Sequence, residues 1–69
     1  MMVSYVNGAA VVVEPGGTAL DAVRAADPSA ADAVTRQEMV ITDSRGLPTT
    51  PETPVHWGSI FRLIPARPR

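Results

Sequence analysis

His56 is the sole histidine in this 69-residue sequence, and so the one side chain whose ordinary pKa suits proton transfer near neutral pH. A general base also needs something to orient it and something to deprotonate. Cysteine is absent and all six positive side chains are arginine, which removes thiol catalysis, disulfides, zinc–thiolate centres and lysine Schiff bases together. The acid nearest His56 in sequence, Glu52, stands in a proline-rich stretch. Asp43 and Glu52 could join Asp27 or Asp32 in a carboxylate site, but no spacing holds them together. Gly16-Gly17, just ahead of a helix start, has the backbone freedom of a phosphate cradle. No GxxxxGK[ST] or GxGxxG surrounds it, and Glu14 and Asp21 are close by, so a strand-to-helix turn is the favoured reading. His56 reads as an exposed turn residue. No catalytic, cofactor-binding or metal-ligating residue is assigned, and a domain of this size has little room for an enclosed pocket.

The composition supports the same restraint. The chain is short enough to be a single domain, placed at residues 1–66, with 67–69 as a short polyproline-like tail. A domain this small buries only about 60% of the surface its unfolded chain exposes, so its stability rests on good packing or on a partner. With 45% apolar and 19% charged residues it has a globular composition. Its longest apolar run, Ala9 to Val13, is far shorter than the roughly 20 residues of a membrane span. The first residues carry no basic segment of a signal peptide, so a cytoplasmic location is expected. A net charge of −1 gives no basic field for nucleic acid, and neither nucleic acid nor membrane is expected as a partner.

Four strands and a bent helix are predicted as the scaffold. Met2 to Val6 and Ala10 to Glu14 flank Asn7-Gly8, the strongest short hairpin signal, because both turn positions take φ > 0. Thr18 is a good N-cap for a helix from about Ala19, with Asp21 near its positive end. Leu20 and Val23 make its apolar stripe, with Ala26 behind them. Asp27-Pro28 breaks that helix and can begin another, Ser29 to Thr35. Met39 to Asp43 reads as a third strand ending in Asp43-Ser44-Arg45-Gly46. Pro48, Pro51 and Pro54 then suit only an extended connection or a sheet edge. Ser59 to Ile64 closes the chain as the fourth strand.

A ββαββ order of this kind is α+β and fits a β-grasp (ubiquitin-like) fold, with a mixed four-stranded sheet and one bent helix on one face. Three stretches carry a closer resemblance: Val6-Asn7-Gly8, Pro15-Gly16-Gly17-Thr18-Ala19-Leu20-Asp21-Ala22-Val23, and Pro54-Val55-His56-Trp57-Gly58-Ser59-Ile60-Phe61-Arg62-Leu63-Ile64. In order and spacing they resemble the ubiquitin-like sulfur carriers of thiamine and molybdopterin synthesis, the ThiS/MoaD type. TGS domains are the second choice. The carrier resemblance implies a C-terminal Gly-Gly that enters an adenylating enzyme and becomes a thiocarboxylate. Here Pro68-Arg69 stands at that place, so the carrier chemistry is expected only after C-terminal processing.

The expected function is therefore a non-catalytic interaction module or subunit, without a cofactor. By alternation the sheet looks apolar on both faces: Phe61 and Leu63 oppose Ile60 and Ile64, and Val11 and Val13 oppose Ala10 and Val12. Val3 and Tyr5 oppose Ser4 and Val6, and which pair meets the helix stays open. One helix shields one side, leaving Ile60, Arg62, Ile64 and Val12 or Tyr5 to meet a protein partner or a second copy. Trp57 either caps the core, the favoured reading, or stands out as an anchor. Arg62, Arg67 and Arg69 make the C-terminal end locally basic, and a solvated tail is favoured there over an acidic groove on a partner.

Overall fold

A computed structural model of the chain describes residues 2–66, and the tail 67–69 lies outside it. The elements are β1 (Met2–Val6), β2 (Ala9–Val13), α1 (Ala19–Ala26), α2 (Pro28–Thr35), β3 (Met39–Thr42), β4 (Pro48–Thr49) and β5 (Ile60–Pro65). One five-stranded sheet has the order β2-β1-β5-β3-β4, with β1 and β5 parallel at its centre and the other neighbours antiparallel. This is an α+β, β-grasp-like topology. The additional strand is the two-residue β4, built from the proline-rich connection and confined to an edge, where a missing N–H is tolerated.

Local sequence accounts for each junction. Asn7 (φ 51°) and Gly8 (φ 86°) form the two-residue hairpin turn. The Asn7 side chain has a second use, its Oδ1 accepting the Leu63 N–H at 3.1 Å and so adding a rung between β1 and β5. At α1 a capping box forms: Thr18 Oγ1 accepts from the Asp21 N–H, and Asp21 Oδ2 accepts from the Thr18 N–H. Asp27 ends α1, its N–H donating to the Val23 carbonyl, and caps α2, its Oδ1 accepting from the Ser29 and Ala30 amides at 3.0 and 3.3 Å. The bent helix is thus two helices joined at one residue.

Both helices pack on the same side of the sheet. Val6, Val11, Val13, Ile41 and Phe61 meet Ala19, Ala22, Val23, Ala31 and Val34 there, with Leu20, Met39 and Leu63 around them. Burial of Ser4 and Val6 settles which side of β1 faces the helices. Ala26 is exposed; Ala19 and Ala22 occupy the buried stripe instead, and their small side chains let α1 lie close to the strands.

One atom in this core is out of place. Ser4 is fully buried, and its Oγ has no hydrogen-bond partner among the described residues. An unsatisfied buried hydroxyl costs about 1–3 kcal/mol. Ser4→Ala is therefore expected to raise stability by about 1 kcal/mol, seen as a melting temperature about 4–8 °C higher in a domain of this size. An unchanged or lower melting temperature would show that the hydroxyl has a partner.

Candidate functional site

The residues with chemical potential are scattered, and most are committed to structure. At the start of α1 the Thr18 amide goes to Asp21 Oδ2 (3.0 Å), Ala19 to the Thr53 carbonyl (2.8 Å), Leu20 to the Pro51 carbonyl (3.0 Å) and Asp21 to Thr18 Oγ1 (3.3 Å). The amides that a phosphate would need are all taken. Gly17 likewise works as a turn: its N–H donates to the Glu14 carbonyl, and its own carbonyl accepts from Val55. His56 is exposed in a turn closed by its N–H to Ser59 Oγ (2.9 Å) and by the Ser59 N–H to its carbonyl (3.0 Å).

The four carboxylates considered for a joint site do not converge. Asp27 caps α2. Asp43 organises the turn after β3, where its Oδ1 accepts from the Leu47 and Arg45 amides. The Leu47 amide, helped by the amide and guanidinium of Arg45 against partial loss of solvent, holds the Asp43 carboxyl below the ordinary aspartate range. Asp32 and Glu52 are exposed, and among the described residues no three His, Cys, Asp or Glu side chains gather as metal ligands. Two shallow grooves flank α2. One is bounded by Leu20, Val34, Met39, Thr49 and Pro51, with Glu52 as its single titratable residue; in the other that role falls to Asp27.

The helix-free side of the sheet is different, because there the candidate residues do come together. Register places Tyr5 between Ala10 on β2 and Ile60 on β5, Val3 beside Val12, Arg62 beside Thr42, and Ile64 beside Val40. Tyr5 (39%), Val12 (54%), Ile60 (43%) and Ile64 (46%) are all exposed. Arg62 is exposed among them and is the only charged residue in any of the five strands. Its carbonyl accepts from the hydroxyl of Thr42, which is buried on this same side.

Trp57 does not cap the core. It is 70% exposed in the turn before β5, a turn that needs φ +76° at Gly58 and joins β1 through the Gly58 N–H to the Val3 carbonyl (2.9 Å). Val3, named from sequence only as sharing a side of β1 with Tyr5, and Val40, which gave no signal of its own, complete the platform, and the strand register places them there. Leu47, 51% exposed in the turn between β3 and β4, gave no signal beyond its hydrophobicity. No helix among the described residues is long and apolar enough to cross a membrane. No family model, no curated protein and no solved structure matches this chain.

Proposed function

We propose that this chain is a non-catalytic β-grasp-like module or subunit that docks a protein partner through the helix-free side of its sheet. The observation that carries this reading is the joint exposure of Tyr5, Val12, Ile60 and Ile64 on one side of the sheet. Apolar area of this kind, concentrated rather than scattered, is a feature of interaction surfaces. Arg62 at its centre suits a partner whose apolar patch carries a carboxylate, since a guanidinium holds a carboxylate in a two-pronged geometry. Trp57, at the Val3 end of β1, is placed to act as a rim anchor.

The test compares wild type with Ile60→Glu and Arg62→Glu, as tagged proteins purified from the native host and as isolated samples in sedimentation runs. Ile60 is half-exposed, so the fold tolerates the carboxylate, whereas a docked surface does not. Loss of an anchor is expected to weaken a stoichiometric partner by about 30-fold or more. An identical association state and the same co-purifying set for all three proteins would mean that the surface is idle. The rival reading is a divergent ThiS/MoaD-like sulfur or acyl carrier working with an adenylating enzyme after C-terminal processing. Intact mass of the native protein separates the two: a shortened chain bearing a thiocarboxylate would replace the module reading.

A further inference from the structure

The two edges of the sheet are unlike. At one, β4 offers two residues, the first of them Pro48, and pairing stops there. At the other, β2 runs Ala9-Ala10-Val11-Val12-Val13 with no proline, no charge and no bulge, the kind of edge that natural proteins rarely leave unguarded. The direction of its free hydrogen-bonding groups follows from bonds on the far side of β1. Val3, Tyr5 and Asn7 turn their backbone groups to β5: Gly58 N–H meets the Val3 carbonyl (2.9 Å), Tyr5 N–H meets Ser59 (2.8 Å) and Asn7 N–H meets Phe61 (2.9 Å). Met2, Ser4 and Val6 must then point at β2, where they face Val13, Val11 and Ala9. Ala10 and Val12 are left aiming N–H and C=O away from the sheet, and among the described residues nothing meets them.

We infer that β2 is a pairing edge for a second copy of this chain, the two β2 strands running antiparallel about a two-fold axis at Val11. Two five-stranded sheets then become one continuous sheet of ten strands. The register is self-complementary. Ala10 of each copy exchanges both backbone bonds with Val12 of the other, Val11 stands opposite Val11, and Glu14 falls opposite the small Gly8, so no like charges meet. A shift by one residue would turn the apolar core set of one strand toward the wrong side of the other, which fixes the alignment. A second copy is favoured over a loose peptide because its strand is already ordered, and little conformational entropy is lost on pairing. The proline-blunted β4 edge makes the assembly close at two instead of growing into a fibre. This interface uses the backbone edge of β2, whereas the docking platform uses side chains; Val12 takes part in both, and the pairing stands whether or not the platform binds anything.

Amide hydrogen exchange of the wild-type protein over a dilution series, with sedimentation equilibrium alongside, tests the pairing. The outward amides of Ala10 and Val12 are expected to be protected at high concentration and to lose that protection on dilution, while the inward amides of Val11 and Val13 stay protected throughout. Ala10→Pro removes an outward donor at an edge position where proline is tolerated. It is expected to weaken the dimer about tenfold or more by deleting two bonds across the interface. Since the chain has no cysteine, Val11→Cys is expected to give a disulfide-linked dimer readily, the two positions lying about 4.5 Å apart between Cα atoms in a non-hydrogen-bonded pair. Ala10 and Val12 amides that exchange freely at every concentration would overturn the inference, and this holds even if the proline variant fails to fold. So would a dimer that survives Ala10→Pro and dissociates with Ile60→Glu, because that dimer joins the platforms and not the edges.

Discussion

Gly17→Ala is expected to destabilise the protein by about 2–3 kcal/mol, through overpacking. The backbone of Gly17 is not left-handed, so the substitution looks harmless by conformation alone. Space is the obstacle: an added Cβ would penetrate Val13 Cγ1 and sit 3.0 Å from the Glu14 carbonyl oxygen. Val13 is buried, and its β-branched side chain has few rotamers to retreat into. The neighbouring Gly16 supplies a contrast, since its φ is +87° with nothing within 4 Å of the added atom. Gly16→Ala should therefore cost only the left-handed penalty, about 1–2 kcal/mol. Urea unfolding of both variants and of Gly17→Ala/Val13→Ala distinguishes the causes. Trimming Val13 should remove part of the Gly17→Ala penalty, so that the double variant loses less than the sum of the singles. A domain of this length has a total stability of only about 3–10 kcal/mol, so a Gly17→Ala protein as stable as wild type would refute the close packing of the Gly16-Gly17 turn on β2.

Asn7→Ala carries the second large effect, an expected loss of about 1.5–3 kcal/mol that combines two contributions. Alanine at φ 51° bears the left-handed penalty, and deleting the carboxamide leaves the Leu63 N–H without its partner at the end of the central parallel pair. Asn7→Gly separates them. Glycine accepts the turn conformation and loses only the side-chain acceptor, so it should retain part of the stability that alanine loses. Asn7→Asp keeps an acceptor and should lie closest to wild type. Chemical denaturation gives the ranking, and the Leu63 amide, followed by hydrogen exchange, should lose protection in both the alanine and glycine variants but not in the aspartate one. Equal stability of the alanine and glycine variants would show that turn strain is negligible here; unchanged Leu63 protection in both would show that the carboxamide bond is absent in solution.

Much of the scaffold could be read from the chain because its signals are local. Asn7-Gly8, Thr18 with Asp21, and Asp27-Pro28 each act on residues at most a few positions away, and each forms the hairpin, helix start or helix break expected of it, with the Asp21 side chain adding the reciprocal bond of a capping box. α2 ends at Thr35 as expected, but the residue that closes it was not legible, for the complementary reason. Gln37 takes the left-handed position (φ 65°) that a glycine would have announced, with the Gln37 and Glu38 amides closing onto Val34 and Ala33. Trp57 was misplaced because hydrophobicity says that a side chain prefers cover, not that the fold supplies any. The platform was half visible: alternation gave Ile60, Arg62 and Ile64 as one row, but adding Tyr5 and Val12 required knowing that Ser4 and Val6 are the pair that faces the helices.

Short stretches of sequence were enough to set the order of both helices and the four longer strands, most of the turns and the apolar character of both sheet sides, since these depend on backbone propensity and side-chain alternation. Which side each strand offers to the helices, and which strands became edges, came from the packed fold. So did the capture of the first amides of α1 by the Pro51 and Thr53 carbonyls, far along the chain. Those outcomes depend on register and on contacts between distant segments, where shifting one strand by a single residue exchanges its covered and open sides, and nothing in the local chemistry of a segment records which alignment its neighbours will impose.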